Sequence, residues 1–99
     1  MNMQAMLRQA QQMQKQMLAE QEKINNETFT GENGLVKVTM KGTKKIEKVE
    51  IQKDDDFSKD DLEMLEDMIL VAVNDALSQI DKETEAKLGK YTNGLPGLF

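Results

Sequence analysis

The chain has 99 residues, a formal net charge of -5 and 38% hydrophobic residues, but it contains neither cysteine nor histidine. We expect a single domain over residues 1–99 with a thin hydrophobic core, to which a second copy would add buried surface. Without thiolate and imidazole groups, most nucleophilic catalysis and transition-metal binding is excluded, so we expect no enzyme activity and no cofactor.

The sequence also bears on the compartment. No N-terminal stretch joins a basic start to a continuous apolar run, which argues against a signal peptide and a membrane span. The absence of cysteine excludes disulfide bonds. We therefore expect a cytoplasmic protein without a membrane partner.

Charge is unevenly distributed along the chain. Residues 35–53 carry six lysines against two glutamates, a balance of +4. Residues 54–86 carry twelve acids against two lysines, a balance of -10. Because salt screens charges beyond about 10 Å at 0.1 M, an acidic protein of this kind can still present a locally basic surface. The net charge therefore does not exclude DNA as a partner.

The first predicted element is a long amphipathic helix over residues 1–25. Residues 2–24 contain no Gly or Pro, and Asn25 and Asn26 form a plausible end. At 1.5 Å per residue the helix is roughly 33 Å long, so part of it must project or pair. Its apolar residues follow a heptad register that is broken only at Glu20: Met3, Met6, Ala10, Met13, Met17 and Ile24. This stripe fits a core, a dimer interface or a partner's helix.

Residues 28–53 predict a three-stranded antiparallel meander. Val36, Val38 and Met40 alternate with lysine and threonine, which is typical of a sheet buried on one side. Val49 and Ile51 are expected to face inward as well. Ile46 is out of phase with Val49, which indicates either a bulge or an edge contact. Turns are expected at residues 31–34 and at Gly42-Thr43.

A second long helix is predicted over residues 58–88, with Ser58 as its N-cap and Gly89 as its stop. Its apolar face is wide enough to pack against both the sheet and a second chain. We expect core or dimer contacts from Leu65, Ile69, Ala72, Val73, Ala76 and Ile80. Residues 89–99 contain several helix breakers and are expected to form a flexible tail.

The acidic residues offer little chemistry. Residues 54–61 contain five aspartates but lack the spacing of a calcium-binding EF-hand, so we expect no metal site. Glu63 and Asp67 lie one turn apart on an exposed face with no neighbour in sequence that would desolvate either carboxylate for acid-base catalysis, so we assign no catalytic residue. Residues 31–34 lack the features of a phosphate-binding loop. We expect no small-molecule substrate.

Basic residues in the meander are one possible DNA-binding surface. Five lysines lie on or beside its polar face, where they could neutralise phosphates: Lys37, Lys41, Lys44, Lys45 and Lys48. The same pattern also fits an ordinary solvent-exposed sheet face. Neither a helix-turn-helix pattern nor a zinc motif is present to read bases.

Four segments together resemble the YbaB/EbfC family of bacterial nucleoid-associated proteins. The first is the Gln- and Met-rich run MLRQAQQMQK over residues 6–15. The others are GLVKVTMKG over residues 34–42, KVEI over residues 48–51 and LEDMILVAVNDAL over residues 65–77. The combination, above all GLVKV and VNDA, carries the resemblance. GLPG at residues 94–97 is similar to that family's tail.

The resemblance implies an α+β fold of order α-β-β-β-α and a homodimer shaped like tweezers. Helices projecting from the two subunits would grip double-stranded DNA with little or loose sequence preference, in the nucleoid. On this chain the contacts would come from Arg8, Lys15, Lys87 and Lys90, with hydrogen bonds from Gln4, Gln11 and Gln12. The alternative is a protein-protein adaptor that uses the Met-rich first helix.

Overall fold

The computed structural model describes residues 2–94, which have the predicted order α-β-β-β-α. Helix α1 (Met3–Asn26) is followed by strands β1 (Thr28–Asn33), β2 (Val36–Lys41) and β3 (Ile46–Ile51). A short 3-10 turn (Lys59–Asp61) then leads into helix α2 (Leu62–Gly94). The prediction of an α+β fold, with an antiparallel meander between two long helices, is confirmed.

Helix α1 has clear boundaries at both ends. The side chain of Asn2 accepts a hydrogen bond from the backbone N–H of Ala5 at 2.8 Å, which caps the first turn. At the other end, the backbone N–H of Glu27 donates to the carbonyl oxygens of Lys23 and Ile24. The helix ends at Asn26, in agreement with the end expected from the sequence.

The strands form one antiparallel sheet in the order β1-β2-β3. Val36, Val38 and Met40 are buried on one face of β2, as their alternation predicts. Gly31 lies inside β1, where a turn was predicted, and the β1–β2 turn itself comprises residues 34 and 35. A side chain at residue 31 would point into α2, so this glycine serves close packing instead of a turn.

Of the two explanations offered for the phase of Ile46, a bulge or an edge contact, the structure shows the bulge. Thr39 pairs with Lys48, whereas the next residue of β2, Met40, pairs with Ile46. Glu47 is therefore the additional residue on β3. It returns Ile46 to the face of the sheet that also carries Val49, the partner of Val38.

Helix α2 packs against β1 and β2 at very short range. Ala72 and Ala76 are fully buried, and a Cβ atom on Gly31 would clash with the carbonyl oxygen of Ala72. Two α2 side chains also satisfy backbone groups of β1. Asp75 accepts from the N–H of Glu32 at 3.2 Å, and Gln79 donates to the carbonyl oxygen of Thr30 at 2.7 Å.

Strand β3 lies beyond the cover of α2, and this corrects one expectation. Val49 and Ile51 share the inner face of the sheet through their pairing with Val38 and Val36. Both remain about half exposed, and every residue of β3 is exposed. They were expected in the core, but α2 packs on β1 and β2, so no helix among residues 2–94 covers them.

The C-terminal half of α2 runs antiparallel to α1 and forms a projecting pair of helices, which we call the arm. Ile24 packs with Ala76 and Ile80, while Glu20 contacts Lys90 farther along α2. The described molecule is accordingly long, with extents of 71 × 21 × 14 Å. Projecting helices were expected from the sequence, and the arm supplies them.

Helix α2 continues past Gly89, where the sequence predicted a stop. A glycine costs a helix about 1 kcal/mol relative to alanine, which contacts on both sides can offset. Leu88 packs against the buried cluster around Ile24, and Tyr91 is buried. Residues 89–94 are therefore helical and not part of a tail. The rest of the expected tail, residues 95–99, lies outside the described residues.

No helix of the described residues is long and apolar enough to cross a membrane.

Candidate nucleic-acid interface

The outer face of α1 carries a row of polar and basic side chains. Gln4, Arg8, Gln11 and Lys15 follow one another at steps of four, three and four residues, so they share one side of the helix. All four are exposed. The row spans about 16 Å at 1.5 Å per residue. It lies opposite the stripe of Met13, Met17 and Ile24 through which α1 packs, and Gln12 flanks it.

The projecting half of α1 is exclusively positive. Residues 3–19 contain Arg8 and Lys15 but no acidic residue, and the first acid of the helix is Glu20. Within residues 2–94, neither Arg8 nor Lys15 forms an ion pair. Both cations are therefore available to an external anion. The guanidinium group can bind phosphate through two hydrogen bonds, whereas the ammonium acts as a point charge.

The two lysines predicted on α2 differ in their surroundings. Lys87 is exposed and forms no ion pair with the described part of the chain. Lys90 lies 3.5 Å from a carboxylate oxygen of Glu20, and its ammonium group stands over the ring of Tyr91 at 5.1 Å. A phosphate would have to compete with these two contacts. Lys87 is consequently the better placed of the pair.

Two further arm cations were not singled out in the sequence. Lys23 and Lys82 are exposed near the base of the arm. Lys23 belongs to α1 and Lys82 to α2, and they share one region only because the two helices pack against each other. No local sequence pattern indicates this contact between distant segments. Acidic residues of α2, at positions 81, 83 and 85, lie on the same part of the arm and reduce its positive charge.

The lysines of the meander do not form a uniform basic surface. Lys37 lies in register between Glu32 on β1 and Glu50 on β3, and Lys48 approaches Glu50 at 3.6 Å. The others are partly engaged: Lys44 contacts Asp81 at 3.4 Å, and Lys41 donates to the carbonyl oxygen of Asn26 at 3.3 Å. Lys45 is exposed in the β2–β3 turn. Neighbouring glutamates thus offset much of this surface's charge.

The acidic segment before α2 has local structural roles. Asp54 accepts from the N–H of Asp56 at 3.0 Å, and Asp61 accepts from the N–H of Ser58 at 2.9 Å. Ser58 is the N-cap of the 3-10 turn that leads into α2. Between residues 2 and 94, no group of three or more acidic side chains is arranged to hold a metal ion.

The six residues predicted as core or dimer contacts lie along α2 and divide by burial. Ala72, Ala76 and Ile80 are fully buried within the single chain. Leu65, Ile69 and Val73 are half-buried and pack against the clusters around Val36 and Val38. Only the second group has surface left for a partner.

The exposed basic row of α1 lies on a helix that projects from a small sheet, an arrangement suited to binding an anionic partner. Comparison with known proteins identifies the class of this protein. The family model of the YbaB/EbfC DNA-binding family matches residues 1–95. The chain belongs to this family.

Relatives from several bacteria are similar over nearly the whole chain. A nucleoid-associated protein of Enterococcus faecalis (strain ATCC 700802 / V583) is 49% identical over 99 residues, covering 98% of this chain and 94% of the relative. One from Lactococcus lactis subsp. lactis (strain IL1403) is 52% identical over 98 residues, covering 97% and 98%. One from Lactobacillus acidophilus is 48% identical over 97 residues, covering 96% and 86%.

Proposed function

We propose that this protein is a nucleoid-associated, non-enzymatic homodimer that binds duplex DNA through its arms. The contacts are mainly to phosphates, so sequence preference is loose, and the protein resides in the nucleoid of the cytoplasm, where it influences DNA organisation or gene expression. Family membership supports DNA as the ligand. The names of the relatives support the nucleoid.

The observation that carries the proposal is the basic row of α1. Gln4, Arg8, Gln11 and Lys15 are exposed on one side of a projecting helix, and no acid occurs among residues 3–19. Arginine, lysine and glutamine are typical donors to phosphate oxygens. Such contacts fix a protein on DNA but carry no base information, which accounts for the loose sequence preference.

A second copy is proposed because one protomer leaves an apolar surface uncovered. We call it the open face, and it comprises Ile46, Val49 and Ile51 on β3 with Leu62 and Leu70 on α2, each between 45% and 61% exposed. Large apolar side chains left exposed on both a sheet and a helix of so small a chain are typical of a protein interface. The open face contains both a sheet surface without a helix and a helix surface without a sheet, so two copies related by a two-fold axis can cover each other.

The two edges of the sheet support the same conclusion. The β1 edge is closed by Asp75 and Gln79 of α2, which hydrogen bond to its backbone. Strand β3 is the opposite edge, and it pairs only with β2 within the described chain. An open edge beside an apolar face is a site where another strand can add. Dimerisation through β3 would supply two arms to one DNA ligand.

The alternative function, a protein-protein adaptor, relies on the methionines of α1. Met13 and Met17 are half-buried on the inner side of the helix, so they have little surface to offer a partner. Met3 and Met6 remain exposed. A helix that binds in a partner's groove needs apolar anchor residues over several turns. The exposed methionines of α1 occupy only its first turns, which is a shorter surface than the adaptor hypothesis requires.

The proposal is tested by neutralising the basic row. In the double variant Arg8→Gln, Lys15→Gln, affinity for a random-sequence duplex should fall at least about tenfold at 0.1 M salt, because phosphate contacts dominate such binding. The slope of log affinity against log salt should flatten by about 0.9 for each phosphate that the variant no longer neutralises. Fluorescence anisotropy across a salt series measures both quantities.

A matched control makes the same charge change on the sheet. Lys45→Gln, Lys48→Gln removes two cations from the other candidate surface and should leave the affinity within about twofold of the wild-type value. Weaker binding confined to this control would place the DNA on the meander instead. Absence of wild-type binding even at low salt would reject DNA as the ligand and favour the adaptor.

A further inference from the structure

The apolar stripe of α1 extends beyond the part that α2 covers. Its outer section, which we call the tip stripe, consists of Met3, Met6 and Ala10, and all three are exposed. Met3 is 77% exposed and Met6 57% exposed. Neither methionine belongs to the hydrophobic clusters found among residues 2–94. Many other positions of this helix are occupied by glutamine, which forms helices about as readily as methionine and is more soluble. Neither solubility nor helix formation therefore explains why methionine stands at these two positions.

We propose that the tip stripe of one dimer binds the tip stripe of a neighbouring dimer when both are on DNA, and that DNA binding is therefore cooperative. This inference rests on the proposed function. It deepens it by naming the protein partner of the arm, which is a second copy of this chain.

The stripe is complementary to itself. In an antiparallel pair of α1 tips with a two-fold axis between Met6 and Leu7, Met3 of one copy faces Ala10 of the other. A large side chain thus meets a small one at both ends, and the two Met6 side chains fill the centre. The same surface continues into the stripe of Met13 and Met17, through which α1 already packs against a helix.

The charges of the arm are compatible with this pairing. At about 100° per residue, Arg8 lies about 200° from Met6, and Lys15 is also on the opposite side of the helix. The cations of two paired tips would point away from the contact and remain available to phosphates. Repulsion between the positive tips in free solution would be relieved once DNA neutralises them.

The size of the stripe explains why DNA is needed. Three side chains from each copy bury far less than the roughly 1,200 Å² at which stable protein-protein interfaces begin. Free dimers should therefore not associate through their tips. Dimers on neighbouring DNA sites are held at a high effective concentration, so a weak contact adds measurably to binding.

The experiment compares two random-sequence duplexes, one short enough to hold a single dimer and one several times longer. Wild-type affinity per site should be at least about fivefold higher on the long duplex, the lower range of coupling between sites. The double variant Met3→Gln, Met6→Gln should lose this gain but keep the wild-type affinity for the short duplex. Gln has a helix propensity close to that of Met, so α1 is preserved.

The matched control is Met64→Gln, which makes the same change at an exposed methionine of α2 outside the arm. It should retain the full gain on the long duplex. Equal affinity of the wild type for both duplexes, or an unchanged gain in the double variant, would overturn the inference alone. Loss of short-duplex binding in the double variant would also overturn it, because the stripe would then act within one dimer. Failure of the wild type to bind either duplex would overturn the proposed function and this inference together.

Discussion

Gly31 shows how strongly one residue can determine the distance between two elements. Its position in β1 lies against the backbone of α2, and an added Cβ would clash with the carbonyl oxygen of Ala72 and lie 2.7 Å from the backbone nitrogen of Ala76. Backbone atoms of a helix cannot move aside as a flexible side chain can. The sheet and α2 can therefore approach this closely only with glycine at residue 31.

We expect Gly31→Ala to reduce the free energy of unfolding by about 3 kcal/mol or more, because overpacking against a rigid backbone forces the two elements apart. Urea denaturation followed by circular dichroism, at one fixed protein concentration, measures this reduction. Gly89→Ala is the matched control. There the added Cβ meets only the Glu85 side chain, which can rotate, so helix propensity should make this change neutral or stabilising by up to about 1 kcal/mol. Equal effects at the two sites would contradict the packing argument.

Between the two helices of the arm, the least favourable contact involves Glu20. It occupies the position in the α1 stripe where an apolar residue would be expected, and one of its carboxylate oxygens is buried without a hydrogen-bond partner. The other carboxylate oxygen contacts Lys90 at 3.5 Å, at a mostly exposed ammonium group. An exposed ion pair contributes little, whereas a buried unsatisfied oxygen is costly.

Glu20→Met should therefore stabilise the protein by about 1 kcal/mol, as apolar replacement of an internal charge often does. It should also release Lys90 and strengthen DNA binding, with a steeper salt slope. Thermal denaturation and the anisotropy series measure the two effects. Lys90→Met removes the other partner of the pair and is expected to weaken both properties. A less stable Glu20→Met protein would show that the carboxylate supports the arm.

Local patterns predicted the elements well, whereas contacts between distant segments were not predictable in the same way. The alternation of Val36, Val38 and Met40 correctly identified the buried face of β2. The phase of Ile46 indicated either a bulge or an edge contact, and strand register decided for the bulge. The stop at Gly89 was wrong because the burial of Tyr91 against the arm depends on tertiary packing. Val49 is exposed because α2 packs on β1 and β2. The alternation of residues within β3 cannot predict where α2 lies.

The candidate site shows the same division. The family resemblance supplied Gln4, Arg8, Gln11 and Lys15 as candidates, and in the structure all four are exposed on one side of α1. The contact of Lys90 with Glu20 joins residues 70 positions apart, so the sequence could not reveal that one predicted cation is engaged. Pairing of the meander lysines with glutamates likewise depends on strand register.

At the scale of the whole molecule, the open face predicts how the proposed dimer can be dissociated. Val49→Lys would place a charge in the apolar centre of that face and should convert the dimer to a monomer at micromolar concentration, because an unpaired buried charge is strongly unfavourable. Light scattering gives the particle mass. Glu50→Lys places the same side chain one residue away, on the opposite face of β3, and should remain dimeric. Dissociation by Glu50→Lys alone would locate the interface on the outer face of the sheet.

The uneven distribution of charge along a 71 Å molecule has a kinetic consequence. Residues 54–67 contain eight acids and one lysine near the start of α2, while residues 3–19 at the far end carry only positive charge. In the negative potential around a DNA duplex, these two ends would experience opposite forces, so the molecule would be rotated during diffusion until its arm leads, as the proposed mode of binding requires. Encounters in the wrong orientation become rare, and the association rate falls as added salt shortens the range of this torque. In a complex held by the arms, as proposed, the acidic ends would lie away from the duplex and face the surrounding solution, where they would repel other stretches of DNA.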